Sequence, residues 1–413
     1  MVTRTKTILK YLSLFGLVLL CVIPLHAKET QSALEYLNAH RQKSGLIKFK
    51  PNKKLNKAAK AHANYLVRQQ RNGHYEKKGW KGYTGRTPSD RILKAGYASK
   101  AVMENVTENA RNYQHSIDIL LAAIYHRFVF LNFENDEIGI GTASTAKKRR
   151  VTSAFVYNTG STEITKLCKR SYDMENNTYY VQNMCKDSKK LIPRYLYEQK
   201  QAKVRKKNSK IVLYPYPNAK NVLPAFYTEN PHPLPGYKVS GYPVTVQFNP
   251  LFYKEVKLKK FRLFDENNKR IKKVKILTHK SDTNHRLTKL QFALMPLQRL
   301  EYGTRYHVEF EAVVDEKRVK KSWKFTTKKP KGRMHKITKK KTTLKVKRGE
   351  KVSLYFEPAS KKDILDCISY TDKLHISCVD QNTLLVTIPR NEYLVRNYTV
   401  GTDKKSVDLI IKP

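Results

Sequence analysis

Apolar residues recur at helical spacing in three stretches of the N-terminal third of the chain. Residues 30–45, 55–70 and 116–125 each place leucine, isoleucine or alanine three or four positions apart. This spacing predicts amphipathic helices that bury one face. Residues 138–141 and 151–157 are apolar runs on either side of a polar loop, which predicts a β-hairpin. Helices are therefore expected to accompany an antiparallel pair of strands.

After residue 211 the pattern changes to that of β-strands. Residues 244–248 and 260–264 alternate apolar and polar side chains, and residues 300–310 lead to a last run at 323–327. Alternation with period two is typical of strands with one buried face. That ending resembles the bacterial Ig-like modules appended to many envelope proteins, so we predict a β-sandwich over residues 211–330.

Two further segments complete the predicted organisation. Residues 331–413 repeat the alternating pattern in short runs, which predicts a second small β domain. Residues 161–210 contain many lysines and arginines and few apolar side chains, so they are predicted to form a basic linker with a candidate disulfide loop.

The N-terminus has the order of a secretory signal peptide. Basic residues precede an apolar run over residues 11–25, and the small residue Ala27 follows. We predict a signal peptide over residues 1–27, cleaved after Ala27. The apolar run is shorter than the roughly 20 residues that span a bilayer, which argues against a transmembrane anchor. No transmembrane helix is expected after removal of the signal, and the expected location is secreted, periplasmic or at the cell envelope.

The charge is strongly positive. The chain has 82 Lys and Arg against 34 Asp and Glu, a formal net charge of +48. Such a field favours binding to anionic cell-envelope polymers or acidic lipids. Because the basic residues are spread through every segment, a merely solvated, lysine-rich surface stays an open alternative. No zinc finger, Walker A loop or RNP-type motif is present, so sequence-specific nucleic-acid binding is not expected.

Four cysteines beyond the predicted signal form two pairs that are local in sequence. Cys168 lies near Cys185, and Cys367 lies near Cys378. An exported protein with an even number of cysteines is expected to form disulfides, and these two pairings close the shortest loops. Four cysteines allow three connectivities, and four buried free thiols are the alternative.

An ordered set of short motifs occupies the region between residues 55 and 143. The set comprises the helical stretch Leu55–Leu66, in which His62 is expected to be structural, followed by Gly73-His74, Gly85-Arg86, Asp90-Arg91, Ala95-Gly96-Tyr97, Glu104-Asn105, His126-Arg127 and Ile138-Gly139-Ile140-Gly141. In this order and spacing it resembles a bacterial CAP domain, the superfamily of cysteine-rich secretory proteins, plant pathogenesis-related proteins and insect venom antigens. The resemblance implies an α/β/α sandwich over residues 28–160. The whole chain is then an α+β protein with one or two all-β Ig-like modules after the CAP-like domain.

The resemblance also points to a candidate metal site. CAP domains often use two histidines and two acids, and the motifs supply His74, Glu104 and His126. Imidazole and carboxylate groups suit Zn²⁺. The second acid is at no recognisable position, since Asp118 would lie about two helical turns from His126. A hydrogen-bonded polar cluster without a metal is the alternative.

Two residues of the motif set are candidates for contact with a small envelope-derived ligand. Arg86 is charged and lies in the glycine-rich loop, and Tyr97 offers an aromatic face for a glycan or a lipid tail. For Arg86 the alternative is an internal ion pair that holds the loop. For Tyr97 the alternative is simple packing with one polar end.

The leading hypothesis is an exported, non-enzymatic binding protein of the envelope or extracellular space, with a divalent-metal cleft. No residue is assigned a catalytic role. The alternative is a metal-dependent hydrolase that acts on peptide or cell-wall material, although no H-E-x-x-H helix is present. His115 and Ser116 are adjacent on one predicted helix and face different directions, which argues against a serine nucleophile. A structural adhesin without a working cleft is a third hypothesis.

Overall fold

The computed structural model describes residues 25–147, 149–366, 368–392 and 394–412. The predicted signal peptide lies outside the described residues, apart from its last three positions, which begin the first helix. Cys367 also lies outside them, so the predicted Cys367–Cys378 pair is not described. Within the described ranges, no helix is both long enough and apolar enough to cross a membrane.

In the residues that the structure describes, the N-terminal unit contains five helices and a four-stranded sheet of order β1-β3-β4-β2. These elements are α1 (Leu25–Lys43), β1 (Lys50–Pro51), α2 (Lys53–Gln69), α3 (Pro88–Lys94), β2 (Met103–Glu108), α4 (Tyr113–Ala122), α5 (Ile124–Phe130), β3 (Glu137–Ser144) and β4 (Ser153–Gly160). Neighbouring strands are antiparallel except for the short β1–β3 pair, which is parallel.

Helices cover both faces of this sheet, as predicted. Successive side chains of a strand point to opposite faces. Ile138 and Ile140 of β3 pack in one core with residues of α1 and α4. Gly139 and Gly141 face α2, where a methyl group on Gly139 would lie only 2.0 Å from the carbonyl carbon of Leu55. The alternation of isoleucine and glycine therefore lets α2 lie directly on the sheet and gives an α/β/α sandwich.

The predicted helix over residues 116–125 is wrong in its C-terminal part. Helix α4 ends at Ala122, Ala123 has extended backbone angles, and α5 begins at Ile124. Ala123 has no side chain that can cap the first turn of α5. The N–H groups of Tyr125 and His126 instead donate to the carboxylate of Glu229, at 2.7 and 2.9 Å. A residue distant in sequence thus supplies the acceptor that an N-terminal turn requires.

The segment predicted as a basic linker contains two helices and a disulfide. Its elements are α6 (Thr162–Cys168), β5 (Tyr180–Val181), β6 (Ile192–Pro193) and α7 (Arg194–Arg205). The predicted Cys168–Cys185 disulfide is present. Both cysteines are buried with Ile164, Leu167 and Ile192 in a small apolar cluster.

The next unit is a β-sandwich. Its strands are β7 (Ile211–Tyr214), β8 (Ala219–Val222), β9 (Ala225–Phe226), β10 (Ser240–Gly241), β11 (Val244–Phe248), β12 (Val256–Phe264), β13 (Val274–Leu277), β14 (Gln291–Pro296), β15 (Arg305–Val314) and β16 (Lys317–Thr327). The sheets have the orders β13-β14-β11-β7 and β12-β15-β16-β8. Taken in chain order, these strands reproduce the two sheets of an Ig-like fold, with β8 added alongside β16.

The last unit repeats this arrangement around a separate core. Its strands are β17 (Arg333–Ile337), β18 (Lys341–Val346), β19 (Lys351–Phe356), β20 (Ile368–Tyr370), β21 (His375–Asp380), β22 (Thr383–Thr387), β23 (Asn397–Thr402) and β24 (Ser406–Ile411). The sheets are β17-β19-β22-β21 and β18-β24-β23-β20. Here the first strand pairs in parallel with β19, whereas β7 and β11 are antiparallel.

The N-terminal unit and the first sandwich share one hydrophobic core. Arg127 of α5 is fully buried at their boundary and donates to the hydroxyl of Thr245 at 3.1 Å. Its guanidinium also lies over the rings of Tyr214 and Tyr242, at 4.9 and 5.1 Å from their centroids. Gln247 donates to the carbonyl of Leu131 at 2.7 Å. The sandwich is therefore bound to the helical unit by buried polar contacts as well as by apolar packing.

Candidate functional site

Two nearly parallel imidazole rings form the centre of the candidate site. His74 lies just after α2, where Gly73 adopts a positive φ of 87° that reverses the chain. His126 lies in the first turn of α5. The ring centroids are 6.3 Å apart and the planes differ by 18°. The side chain of His74 is 35% exposed and that of His126 is 17% exposed, so the pair opens to solvent on one side.

Glu104 lies behind His74. Its carboxylate is 3.0 Å from Nδ1 of His74 and accepts two hydrogen bonds from the guanidinium of Arg91, each 2.8 Å long. Burial favours the neutral acid, but the hydrogen bond with His74 and the charge of Arg91 outweigh it and lower the pKa of Glu104. Arg91 also donates to the carbonyl of His74 at 2.9 Å. The ion pair thus holds both the ring and the backbone of His74.

A second buried pair supports the loop that carries His74. His62 of α2 lies 2.9 Å from Glu76 through Nδ1 and 3.0 Å from the carbonyl of Gly73 through Nε2. Each ring nitrogen of His62 thus lies beside an oxygen, which fixes the orientation of the ring. Burial raises the pKa of Glu76, but the hydrogen bonds from His62 and from the Thr84 amide lower it by more. His62 therefore has a structural role, because it holds the loop that carries His74.

The acid beside His126 comes from the first sandwich. Glu229, between β9 and β10, lies 2.8 Å from Nδ1 of His126 and is only 6% exposed. The sequence analysis missed this residue because 103 positions separate it from His126 and no motif surrounds it. Asp118, the acid considered in its place, accepts a hydrogen bond from Tyr36 at 2.8 Å in a different groove. The structure does not bring Asp118 to the histidine pair.

The two residues predicted to contact a ligand are not part of this pair. Tyr97 is 1% exposed and donates to Glu137 at 2.6 Å, so its ring packs inside the domain. The side chain of Arg86 is exposed on the glycine-rich loop, and its carbonyl accepts from the Glu76 amide at 3.0 Å. Tyr97 therefore has the position expected of a packing residue, and Arg86 stays accessible.

The histidine pair meets part of the requirement for a metal site. In a neutral imidazole, a carboxylate next to Nδ1 places the ring proton on that atom and leaves Nε2 with a lone pair. No described residue hydrogen bonds to Nε2 of His74 or of His126. Glu104 is occupied by Arg91 and His74, so it orients His74 from behind. Among the described residues, no group of three or more His, Cys, Asp or Glu is placed to hold one ion. The residues fit a site with two histidine ligands whose other ligands come from outside the chain.

The comparison with protein families supports the CAP resemblance of the helical unit. Residues 34–158 match the model of the cysteine-rich secretory protein family, CAP, and this part of the chain is a CAP domain. A comparison with curated proteins finds no match. The β-rich part that follows consists of all-β modules, as the strand orders show.

Three solved structures are similar to parts of this chain. An outer surface protein from Borrelia burgdorferi is 20% identical, over 32% of this chain and 92% of that one, with a TM-score of 0.28. An extracellular SCP-domain protein from Bacillus anthracis is 16% identical, over 32% of this chain and 39% of that one, with a TM-score of 0.27. A fragment of titin is 17% identical, over 48% of this chain and 97% of that one, with a TM-score of 0.16.

Proposed function

We propose that this CAP-domain protein is an exported, non-enzymatic binding protein of the cell envelope or extracellular space, whose cleft holds a divalent metal between His74 and His126. The observation that supports the metal is the pair of imidazoles, each with a carboxylate at Nδ1 and with Nε2 open. Carboxylate–histidine–metal arrangements of this kind fix the ring and raise its basicity. Zn²⁺ is the ion that we propose, and a small envelope-derived ligand would complete its coordination.

Export is supported by two features. The N-terminal sequence has the order of a signal peptide. The Cys168–Cys185 disulfide joins buried residues, and structural disulfides persist in oxidising compartments. We therefore propose a secreted, periplasmic or envelope-associated location.

The first sandwich supports binding to anionic polymers or acidic lipids. The outer face of the sheet formed by β12, β15 and β16 presents exposed basic side chains in adjacent rows, among them Lys257, Lys260, Arg318, Lys320 and Lys324. Two acidic side chains of β15, Glu309 and Glu311, lie among them on this face. A flat, basic sheet surface would attract a polyanion, with a strength that falls as salt is added.

The hydrolase alternative has weaker support from the site. A bound divalent ion would supply Lewis-acid chemistry to a solvent-accessible cleft, which is what a metal-dependent hydrolase requires. A hydrolase also needs a base beside the reacting group. Glu104 is held by Arg91, and one oxygen of Glu229 is held by three donors. Because Glu104 is engaged and the second oxygen of Glu229 is buried away from the cleft solvent, neither carboxylate is placed as such a base, and the binding function is the better proposal.

Zinc binding tests the proposal directly. Residues 28–413 are purified without chelator, and zinc content and affinity are measured by elemental analysis and calorimetry. We expect one zinc per chain in the wild type and none in the His74→Ala, His126→Ala double variant. A His279→Ala, His375→Ala variant removes two exposed histidines elsewhere and should keep the metal. A wild-type protein that binds no zinc would refute both the metal cleft and the hydrolase.

Polyanion binding is tested separately. Co-sedimentation with phosphatidylglycerol vesicles and retention on immobilised polyphosphate are compared over a salt series. Replacing Lys257, Lys260, Lys320 and Lys324 by alanine should weaken both interactions at low salt, while zinc binding is unchanged. Equal binding by the variant would refute the role of this face and leave the cleft proposal standing.

A further inference from the structure

A second groove lies where the CAP domain meets the first sandwich. It has a volume of about 690 Å³ and is lined by α1, by Asp118 of α4, by Tyr214 and Tyr242, and by residues 216–223. This volume is within the usual range for small-molecule sites, which occur preferentially at domain junctions. None of the residues that form the histidine cleft lines it.

Its walls are aromatic. Tyr36 and His40 of α1 lie edge to face with centroids 4.9 Å apart, and His40 lies in the same way on Tyr216 at 5.9 Å. Tyr36 and Tyr216 are half-buried, so part of each ring borders the groove. A pyranose ring has a face of C–H bonds that packs on such a ring.

The groove also contains polar groups held in place by its own side chains. Tyr36 donates to Asp118 at 2.8 Å, and burial raises the pKa of Asp118 to about 6. The hydroxyl of Tyr214 lies 2.9 Å from Nδ1 of His40, and burial together with Lys43 lowers the pKa of His40 to about 4. His40 is therefore neutral at pH 7, and because Nδ1 lies at the Tyr214 hydroxyl, only Nε2 is left for a ligand. This nitrogen and the carboxylate of Asp118 suit sugar hydroxyls, which can both donate and accept.

The rim carries positive charge. Lys43 and Lys220 are exposed and line the groove on its two sides. Neither forms a salt bridge with a described residue, and the ammonium of Lys43 lies over the ring of Tyr216, 5.5 Å from its centroid. In a chain with a net charge of +48, a cationic ligand is disfavoured here. An acidic substituent next to the sugar would pair with these lysines.

We propose that this groove binds a segment of a uronate-containing glycan, with a sugar ring between Tyr36 and Tyr216 and its carboxylate at Lys43 and Lys220. The site is independent of the histidine cleft. It goes beyond attachment to polyanions in general, because aromatic contact requires a sugar and the lysines require an acid.

The test uses residues 28–413 and tetragalacturonate as the probe, with calorimetry as the readout. We expect measurable binding that Tyr216→Ala weakens by about tenfold or more, as is usual when an aromatic anchor is lost. Tyr216→Phe keeps the ring and should bind as the wild type does. The Lys43→Ala, Lys220→Ala variant should also bind more weakly, whereas Lys317→Ala, Lys321→Ala, with the same loss of charge elsewhere, should not.

Three comparisons would overturn the proposal. If neutral chitotetraose binds as tightly as tetragalacturonate, the carboxylate of the ligand is not recognised. If polyglutamate competes as well as tetragalacturonate does, the sugar ring is not recognised. The site itself is refuted if the wild type does not bind tetragalacturonate. It is also refuted if the Lys317→Ala, Lys321→Ala control loses as much affinity as the Lys43→Ala, Lys220→Ala variant. The His74→Ala, His126→Ala variant should bind tetragalacturonate normally, so failure of the metal proposal and failure of this one are distinguishable.

Discussion

Glu229 is predicted to stabilise the junction between the CAP domain and the first sandwich. One oxygen of its carboxylate accepts from the amides of Tyr125 and His126 and is 2.8 Å from Nδ1 of His126. The residue is 6% exposed, so truncation leaves these donors without a partner in a largely dry place. Each unsatisfied buried group costs roughly 1–3 kcal/mol.

Glu229→Ala should therefore lower the free energy of unfolding by about 3 kcal/mol. This is the lower end of the total for the three donors, because solvent reaches His126 and can satisfy part of its loss. In a domain of this size that loss corresponds to a melting temperature lower by roughly 6–12 °C. Glu229→Gln keeps the acceptor oxygen and loses only its charge, so it should destabilise the protein less than Glu229→Ala does. Glu266→Ala, an exposed acid in a turn of the same sandwich, is the control and should melt like the wild type.

Scanning calorimetry measures the melting temperature, and amide hydrogen exchange reports on Tyr125 and His126 individually. In Glu229→Ala, faster exchange is expected at these two amides, because they lose their acceptor. If Glu229→Ala has the melting temperature of the wild type and both amides still exchange slowly, Glu229 does not cap α5. The explanation given for the helix break would then be wrong.

Three further predictions concern other parts of the chain. Gly139→Ala should lower the free energy of unfolding by about 3 kcal/mol or more, because the added methyl group would lie 2.0 Å from the backbone of α2. A melting temperature equal to that of the wild type would contradict the close contact. Replacing Cys168 and Cys185 by alanine opens a link between residues 17 apart and should destabilise this region by about 3 kcal/mol, seen as faster proteolysis under native conditions. The lowered pKa of His40, about 4 against an ordinary 6.5, means that the unfolded state binds more protons between these values, so this group makes stability fall as the pH drops from 6.5 to 4. The raised pKa of Asp118, about 6 against 3.8, acts in the opposite direction between pH 6 and 3.8. As the pH falls from 6 to 4, the free energy of unfolding of Asp118→Asn should therefore decrease more steeply than that of the wild type. The difference in slope is at most about 1.4 kcal/mol per pH unit and is measured by urea titrations at each pH. If the two proteins lose stability in parallel, the raised pKa of Asp118 is refuted.

Much of the local structure could be predicted from side-chain periodicity. The helix expected over residues 55–70 is α2, and the hairpin expected around residues 138–157 is β3 and β4. These predictions succeed because each pattern reports a face that must be buried in its own element. The predicted helix over 116–125 fails at Ala123, because apolar periodicity continues through the break and the cause of the break is the carboxylate of Glu229.

Residues that lie close together in the chain, or that follow a fixed order of motifs, were enough to predict most elements and the CAP resemblance. The same motifs named His74, Glu104 and His126, whose role as metal ligands stays a prediction. The acid beside His126 could not be predicted in this way, because Glu229 is 103 residues away. The same holds for the groove bordered by Tyr36, Asp118 and Tyr216, which forms only when the sandwich packs on α1 and α4. Contacts between units depend on packing across their boundary, and no periodicity along the chain records them.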